Sequence, residues 1–432
     1  MSERATGSGD EILDDLAARG LVQDHTDLDR LRARLTERPI TLYAGFDPSA
    51  PSLHVGNLVP LLLLRRFQLF GHRPIALAGG ATGMIGDPGG RSEERQLLEG
   101  HALDRNVAAI KVQLEQFLDF SPGPVQARLV DNRDWTAPLG VLDFLRDVGK
   151  HVTVNAMLAK ESVKARVESD QGISFTEFSY MLLQANDFHW LHCNADCELQ
   201  AGGSDQWGNI TAGVDLVRRR EGVHLHALTV PLIIKSDGTK FGKSAAGAVW
   251  LDPDLTTQYA FYQHFIQTDD RDVERFLLQL TLLPVDRVRD VMSDHATAPE
   301  RRTAQRVLAD EMTSLVHGAD AAAEAAGAST GFTRRAVDRS ADDLAAMVDE
   351  IPTTRIARSR LDAGVDLVEL LIEIGAVSSK GEARRAVGQR GVYLNDEQLV
   401  EARPVTADDL LHDRFVLVRK GKKQRHIVVV EA

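Results

Sequence analysis

The sequence predicts an α/β protein with a first domain built on a parallel sheet, then a helical domain, then a small α+β domain. From Pro39 onward, short apolar runs alternate with amphipathic helices, the order that produces parallel strands covered by helices on both faces. Beyond residue 245 the chain becomes rich in amphipathic helical segments, and from residue 366 a helix–helix–strand unit ends in two β-rich runs. We therefore expect a Rossmann-like domain over 1–245, a helical domain over 246–345, a linker over 346–365 and an α+β domain over 366–432.

Length and composition are those of a soluble protein with several domains. A chain of 432 residues exceeds one ordinary core, and its 43% hydrophobic and 26% charged fractions are typical of globular proteins. Arg65 ends the apolar run 61–64 well short of a bilayer span. The first ten residues are polar and acidic, unlike a signal peptide. We expect a cytoplasmic protein without a membrane partner.

The individual elements follow from apolar periodicity. Residues 1–40 have apolar positions at helical spacing, and 40–46 is an extended run. Pro60 is compatible with a helix over 58–70, since amide hydrogens near the first turn often lack an intrahelical partner. The other predicted elements are strands at 75–78, 125–130, 392–394, 414–418 and 427–430, and helices at 103–118, 178–187, 272–281, 284–293, 300–317, 367–374 and 379–388. Weak periodicity in the Ala- and Asp-rich stretch 319–365 indicates a flexible connection.

The segment His54-Val55-Gly56-Asn57 lies between the extended run and a very apolar helix. Imidazole and amide side chains at a helix start can donate hydrogen bonds to phosphate oxygens, toward which the positive end of the helix dipole also points. Gly45 lets a flat ligand approach the backbone, and Asp47 and Ser49 add polar groups at the strand end. A capped helix start without a ligand would explain the same residues, so this motif alone does not decide.

A second motif, Lys240-Phe241-Gly242-Lys243-Ser244, places two ammonium groups three residues apart in a glycine-bearing loop. Either motif alone is a weak signal, because short patterns recur by chance. Together, in this order and at this separation, they suggest two clamps on one nucleoside triphosphate.

The glycine-rich stretch 79–91 follows a predicted strand and makes room for a ligand against the backbone. Its G-x-x-G-x-x-G spacing is not the G-x-G-x-x-G dinucleotide fingerprint, and no G-x4-G-K-[ST] P-loop is present. A P-loop NTPase is therefore disfavoured. Arg91 and Arg95 could reach phosphates from this stretch, although ordinary surface arginines explain them as well.

The stretch 178–187 directs three polar side chains to one helix face, since Tyr180, Gln184 and Asp187 are spaced i, i+4, i+7. Burying such groups unpaired is costly, so an apolar helix that carries them indicates a polar pocket. A phenol ligand would need partners for its hydroxyl and for its ammonium group. Asp187 and Tyr43 suit the hydroxyl, whereas the amino-acid end is suited by Tyr180, Gln184, Asp87 and Gln206. A solvent-facing polar stripe is the alternative.

Downstream, 199–209 reads as a strand end, a glycine turn and an acidic residue before a helix. Asp205 could accept hydrogen bonds from ribose hydroxyls while Gly203 admits the adenine, although ordinary helix capping uses the same residue types. Cys193 and Cys197 form a C-x3-C pair without a second pair, so we expect neither a disulfide framework nor a structural metal.

The net charge of −13 disfavours a nucleic-acid partner, but the distribution of charge matters more than the sum. Six basic residues and no acid lie between Arg414 and Val430. They could guide RNA to one face of the protein, and a solvated hairpin explains them equally well.

Together these segments resemble bacterial tyrosyl-tRNA synthetases over nearly the whole chain. The two clamps correspond to the HIGH and KMSKS motifs of class I synthetases, with Asn57 in place of the last histidine and a changed spacer between the two lysines. The C-terminal unit is similar to an S4-type RNA-binding domain through 379–385 and the basic hairpin.

The resemblance implies a role for each motif. Tyrosine would be held by Tyr43, Asp87, Tyr180, Gln184, Asp187 and Gln206. ATP would be held by Gly45, Asp47, Ser49, His54, Asn57, Gly203, Asp205, Lys243 and Ser244. Catalysis would depend on His54, Asn57, Lys240, Lys243, Arg91 and Arg95, with Mg²⁺ accompanying ATP. RNA would be bound by Lys380, Arg384, Arg385, Lys420, Lys422, Lys423 and Arg425. The partners implied are L-tyrosine, ATP, tRNA(Tyr) and a second copy of the chain.

Two alternatives stay open at this stage. Tryptophanyl-tRNA synthetases share the fold and both clamps, although Asp187 with Tyr43 and the S4-like tail favour tyrosine. The chain could also be an RNA-binding protein derived from a synthetase and no longer catalytic, which the retained His54, Lys240 and Lys243 argue against.

Overall fold

A computed structural model describes residues 11–88, 100–167, 172–239, 241–244, 247–331, 336–348, 351–421 and 424–431. The chain divides into two compact units, one formed by 1–256 with 264–316 and the other by 257–263 with 317–432. This division is coarser than the domain limits expected from the sequence, which stay a prediction.

The first unit contains a five-stranded parallel sheet, as the alternating pattern predicts. Its strands are β1 Thr41–Phe46, β2 Arg73–Ala78, β3 Arg128–Asp131, β4 Cys197–Gly203 and β5 His226–Val230. They lie in the order β3-β2-β1-β4-β5. The order reverses at β1, and ligands of such sheets bind beyond the carboxyl ends of the strands at that switch point. Two short strands follow, β6 Lys243–Ser244 and β7 Gly247–Ala248, which pair antiparallel.

Helices precede, connect and follow these strands. In chain order they are α1 Glu11–Ala18, α2 Leu28–Glu37, α3 Leu58–Leu69, α4 Gly100–Phe117, α5 Arg133–Thr136, α6 Val141–Asp147, α7 Val154–Leu158, α8 Glu161–Val167, α9 Phe175–Ala195, α10 Trp207–Glu221, α11 Gln258–Ile266, α12 Asp270–Leu280, α13 Val285–Thr297 and α14 Thr303–His317. Within the described part of the chain, none combines the length and apolarity that crossing a bilayer requires.

Helix α3 is apolar on almost every side because it packs inside the first unit. Leu61 to Leu64 are fully buried, and Pro60 occupies the third helical position, where it interrupts no intrahelical hydrogen bond. Arg66 is also buried, and its Nη2 donates to the carbonyl oxygens of Gln279 (3.1 Å) and Thr281 (2.6 Å) at the end of α12. Burial lowers the pKa of Arg66 to about 9. The arginine thus ties α3 to the C-terminus of α12.

The second unit has a sheet in the order β10-β9-β11-β12-β8. Its strands are β8 Thr353–Ala357, β9 Val392–Leu394, β10 Glu397–Gln398, β11 Phe415–Lys420 and β12 Gln424–Glu431, and its helices beyond α14 are α15 Ala319–Gly331, α16 Ala341–Val348, α17 Arg358–Asp362, α18 Leu367–Glu373 and α19 Lys380–Gly388. The strands and helices predicted beyond residue 366 are confirmed. The flexible connection predicted over 319–365 is wrong for the described residues, since α15, α16, α17 and β8 lie there. In particular, β8 pairs parallel with β12 inside the sheet.

Candidate active site

The site opens at the carboxyl end of β1, the central strand of the first sheet. Five of its six residues are buried, and Gly45 alone is exposed. A Cβ at Gly45 would meet only Leu77 Cδ2, at an ordinary 3.6 Å. The backbone of β1 is therefore accessible at this glycine, as the predicted approach of a flat ligand requires.

A chain of hydrogen bonds connects α9 to the ends of β1, β2 and β3. Tyr180 Oη donates to Asp47 Oδ2 (2.7 Å), and Thr82 Oγ1 donates to Asp47 Oδ1 (2.8 Å). Asn132 Nδ2 then donates to both Thr82 Oγ1 (3.0 Å) and Asp187 Oδ2 (2.9 Å). Tyr180 and Asp187 are buried rather than solvent-facing, which excludes the polar-stripe alternative. The sequence predicts their convergence and misses Thr82 and Asn132.

The Asp187 carboxylate is held at the bottom of this arrangement. Its Oδ1 accepts a hydrogen bond from Trp135 Nε1 (2.8 Å), and only 2% of the residue is exposed. Burial raises the pKa of Asp187 to about 7, against the opposing effect of the Asn132 and Trp135 hydrogen bonds. Above about pH 7 the group is mostly ionised, and a hydroxyl placed beside it would then meet a buried carboxylate acceptor.

Tyr43 provides the second polar group of the pocket. Its hydroxyl is buried and has no hydrogen-bond partner among the described residues. Burial and the nearby charge of Asp187 raise the pKa of Tyr43, so the group stays a neutral donor. A buried hydroxyl without a partner is costly, and a ligand hydroxyl would remove that cost. Gln200, the partner of Tyr43 in the β1–β4 register, has a buried Oε1 that also lacks a hydrogen-bond partner in the residues that the structure describes.

The predicted partners of an ammonium group are connected through a residue that the sequence does not single out. Asn209 Nδ2 donates to Asp87 Oδ1 (3.4 Å), Gln184 Oε1 (3.2 Å) and Gln206 Oε1 (3.2 Å). Gln206 Nε2 in turn donates to the Asp87 carboxylate. Asp87, Gln184 and Gln206 are therefore brought together as predicted, and Asn209 organises them.

His54 and Asn57 cap the short helical turn 55–57 that leads into α3. His54 Nδ1 accepts from the Gly56 amide (3.0 Å), and Asn57 Oδ1 accepts from the His54 amide (3.0 Å). The capped helix start is thus present. Because Nδ1 acts as an acceptor, the ring proton lies on Nε2, which leaves His54 in the tautomer that can donate from Nε2.

The two clamp motifs lie against each other. The Val249 amide donates to the Gly242 carbonyl oxygen (3.0 Å), and the Val55 amide donates to the Val249 carbonyl oxygen (3.0 Å). A Cβ on Gly242 would lie 3.3 Å from the Gly56 amide nitrogen. Phe241 anchors this loop, since its buried ring is 4.8 Å from that of Phe276 in an edge contact. The order and separation of the motifs predict this proximity.

The remaining ATP candidates lie around the same sheet edge. Gly203 ends β4, and a Cβ there would lie 2.6 Å from Asp205 Oδ1, so glycine leaves room for this carboxylate. Ser49 is exposed, and its amide donates to the Asp47 carbonyl oxygen. Arg91, Arg95 and Lys240 lie outside the described residues, as do the side chains of Lys243 and Ser244.

The RNA candidates of the second unit are not all equally accessible. Arg384 and Arg385 are exposed on α19, whereas Lys380 and Lys420 form ion pairs with Glu369 and Glu382, each at 2.8 Å. Arg425 is half-buried in β12, and Lys422 and Lys423 lie outside the described residues.

Comparison with known proteins identifies the family. A family model for class I tRNA synthetases (W and Y) matches residues 35–333, and one for the SYY-like C-terminal domain of tyrosine–tRNA ligase matches residues 343–428. The tyrosine–tRNA ligase of Opitutus terrae is 54% identical over 97% of this chain and 99% of its own length, and that of Roseiflexus castenholzii is 50% identical over 96% and 99%.

Solved structures agree with these matches. A C-terminally truncated mitochondrial tyrosyl-tRNA synthetase from Aspergillus nidulans superposes with a TM-score of 0.68 at 32% identity, covering 75% of this chain and 97% of that one. A tryptophanyl-tRNA synthetase from Encephalitozoon cuniculi, at 15% identity and a TM-score of 0.53, shares the fold alone. The chain therefore belongs to the tyrosine–tRNA ligase family of class I tRNA synthetases.

Proposed function

We propose that the chain activates L-tyrosine with ATP to give tyrosyl-adenylate and pyrophosphate, then transfers the tyrosyl group to the 3′-terminal ribose of tRNA(Tyr). The observation that carries this proposal is the pocket floor. There the Tyr43 hydroxyl is buried near the buried Asp187 carboxylate and has no partner within the described part of the chain. A phenol hydroxyl can accept from the first group and donate to the second. An indole NH can only donate, so it would offer no acceptor to the O–H of Tyr43.

The amino-acid end of tyrosine would lie toward Asp87, Gln184 and Gln206. Asp87 offers a buried carboxylate to the ammonium group, and Asn209 fixes the two amides around it. Tyr180 would contribute its hydroxyl, which Asp47 already orients. Tyrosine would thus be held at its hydroxyl by one set of polar residues and at its ammonium group by another. Holding both ends of the substrate fixes the position of its carboxylate for reaction.

Adenylate formation needs no protein nucleophile. The tyrosine carboxylate attacks the α-phosphorus of ATP, the bond to the bridging oxygen of pyrophosphate breaks, and negative charge gathers on phosphate oxygens. His54, Asn57, Lys240 and Lys243 would stabilise that charge as preorganised donors, with Arg91 and Arg95 assisting. Gly45, Asp47, Ser49, Gly203, Asp205 and Ser244 would hold the nucleotide, and Mg²⁺ arrives with ATP as part of the substrate.

Transfer requires tRNA, and the second unit supplies basic residues for it. Arg384 and Arg385 are exposed on one short helix, while Lys380, Lys420 and Arg425 lie in the same unit. Lys422 and Lys423 extend the set along the sequence. Such residues contact phosphates and position RNA without reading its bases. We assign the reaction to the cytoplasm.

A homodimer is part of the proposal. Val141, Leu142 and Leu145 on α6 and Phe175 at the start of α9 are all exposed, Leu142 and Phe175 by 77% each. Three of these four residues lie on one short helix, and soluble monomers seldom expose several large apolar side chains together. Light scattering coupled to gel filtration should give twice the chain mass, and Leu142→Asp should lower it. A monomeric mass for the wild-type protein would contradict this part of the proposal.

The activity is tested by ATP–pyrophosphate exchange with each of the twenty amino acids offered separately. Exchange with tyrosine alone is the expected result. Exchange with tryptophan would move the specificity to that of the other enzymes with this fold, and no exchange at all would leave an RNA-binding protein. Lys243→Ala should slow adenylate formation, and an unchanged rate would remove the role assigned to this lysine.

A further inference from the structure

Three different metal-ligating side chains meet where the C-terminal halves of α9 and α10 pack together. His189 and Cys193 are four residues apart on α9 and therefore lie on one face of the helix. Glu221 is the last residue of α10 and reaches the same point. One ligand atom from each residue lies within 4.8 Å of the other two. None of these residues takes part in the tyrosine or ATP site.

The distances are close to those around one small cation. Cys193 Sγ is 3.6 Å from His189 Nε2, and Glu221 Oε1 is 2.6 Å from the same nitrogen. Tetrahedral zinc with ordinary bond lengths would separate sulfur and nitrogen by about 3.5 Å and nitrogen and oxygen by about 3.3 Å. The first pair already has this spacing. The second pair is a hydrogen bond that must open by roughly 0.7 Å, a movement that the half-exposed Glu221 side chain can make.

We propose that His189, Cys193 and Glu221 form a binding site for one divalent cation of the zinc class, with water completing the coordination. A thiolate and an imidazole favour zinc over magnesium or calcium, which prefer oxygen ligands. Cys193 and Glu221 are exposed, so the cation can enter from solvent. Arg220 lies close enough to act on the charges of all three groups and opposes a cation, so we expect an exchangeable site.

Cys197 does not belong to this site, although it is the other half of the C-x3-C pair. It is fully buried in β4, and its Sγ donates to the Leu199 carbonyl oxygen (3.6 Å). The cysteine spacing is therefore uninformative here. The third ligand comes from a different helix, which only the packing of α10 on α9 brings to Cys193.

Cation binding would connect the two helices that build the tyrosine pocket. Asp187 lies two residues before His189 on α9, and Asn209 is the third residue of α10. A cation bound by the C-terminal halves of both helices should raise the melting temperature of the first unit, because a ligand that binds only the folded state stabilises it. The cation site does not depend on which amino acid the pocket takes.

The test uses the full chain, stripped with EDTA, returned to chelator-free buffer and titrated with Co²⁺ in the absence of ATP. A cobalt–thiolate bond produces a near-ultraviolet charge-transfer absorption, which should saturate at one equivalent and disappear when Zn²⁺ is added. Cys193→Ser should abolish the absorption. Glu221→Gln should weaken binding by at least about tenfold, the lower end of the loss seen when even an outer-shell partner is removed.

Two control measurements distinguish binding at this site from nonspecific binding and from misfolding. Asp215→Asn removes an exposed carboxylate from the same helix α10 and should leave Co²⁺ binding unchanged. Cys193 is exposed, so serine at this position opens no cavity. A circular dichroism spectrum of Cys193→Ser checks that the variant is folded. The proposal is overturned if wild-type protein gives no saturable thiolate absorption, if the absorption persists in Cys193→Ser, or if Glu221→Gln binds like wild type.

Discussion

At the scale of single residues, we expect the floor of the proposed pocket to set the choice between tyrosine and phenylalanine. Among the described residues the Tyr43 hydroxyl has no hydrogen-bond partner, and a ligand hydroxyl would supply one, so Tyr43→Phe should discriminate less between tyrosine and phenylalanine. One hydrogen bond between neutral groups is worth about 0.5–1.5 kcal/mol, so we expect a loss of about 2- to 10-fold in kcat/KM for tyrosine. Pyrophosphate exchange with both amino acids measures the ratio. A variant that keeps the full preference for tyrosine would contradict the role of Tyr43.

Asp187 makes the stability of the first unit depend on pH. Its pKa rises from 3.8 to about 7 on folding, so the folded state holds more protons than the unfolded state between these values. The free energy of unfolding should therefore fall as pH rises from about 4 to about 7, by at most about 1.4 kcal/mol per pH unit. Asp187→Asn should lack this part of the slope.

Tryptophan fluorescence can follow this unfolding in the first unit alone, because all four tryptophans, at 135, 190, 207 and 250, lie there. Urea titrations between pH 5 and pH 8 give the slope for wild type and variant. Asp215→Asn, which alters an exposed carboxylate, serves as the control. Equal slopes in wild type and Asp187→Asn would show that the carboxyl does not titrate in this range.

The sequence predicts the side chains that would contact tyrosine, but it does not predict the asparagines that hold those side chains in place. Tyr180, Gln184 and Asp187 are found because helical spacing puts them on one face. Asn132 and Asn209 are ordinary amides. The side-chain partners of Asn132 lie 50 or more residues away along the chain. Asn209 contacts Gln184, 25 residues away, and Gln206 in the same turn. Asn132 directly follows β3, so the rule that ligands bind beyond strand ends could have pointed to it.

At the scale of elements, we expect the packing of the 241–244 loop on the 54–57 turn to support the proposed nucleotide site. Gly242 has φ of +87°, and a Cβ there would lie 3.1 Å from Val55 Cγ2. Gly242→Ala should therefore strain the backbone and displace the loop from the 54–57 turn, slowing adenylate formation with little change in tyrosine affinity. Single-turnover kinetics and equilibrium binding of tyrosine separate the two quantities.

Gly238 offers a matched control for this loop. Its φ is +82°, close to that of Gly242, but nothing lies within 4 Å of a Cβ placed there. Gly238→Ala introduces backbone strain without crowding, a strain of order 1–3 kcal/mol in stability. If both alanine variants slow adenylate formation equally, the contact between the two motifs is not what matters.

Elements with strong apolar periodicity are predicted well, whereas elements that form only by packing on distant parts of the chain are not. Strands β1, β2, β9, β11 and β12 and the helices beyond residue 366 have clear apolar runs, whereas β5 and β10 are not among the predicted strands. Helix α15 is rich in alanine, so its buried positions Ala321, Ala322 and Ala325 give little contrast with exposed ones. Strand β8 forms because β12, about 70 residues later, offers it an edge. Its sequence Thr-Thr-Arg-Ile-Ala shows no alternation that marks a buried face.

At the scale of the whole molecule, charge is distributed unevenly on an acidic protein. A net charge of −13 repels RNA, so we expect tRNA binding to depend on local basic residues such as the exposed Arg384 and Arg385 of α19. Replacing both by glutamate should weaken tRNA binding and reduce its slope against salt concentration by about 1–2, since each lost phosphate contact removes nearly one released counterion. Pyrophosphate exchange should be unchanged, because the residues proposed to bind tyrosine and ATP all belong to the first unit.

Filter binding of tRNA across a series of salt concentrations measures this slope. Arg38→Glu, which reverses an exposed arginine of the first unit, controls for the general effect of added negative charge. If only the overall charge matters, Arg38→Glu and the double variant of α19 should both lose affinity for tRNA in proportion to the charge that each one changes. If Arg384 and Arg385 contact phosphates directly, only the α19 variant should change the slope of tRNA affinity against salt concentration. Equal slopes in wild type and both variants would show that these two arginines do not contact tRNA.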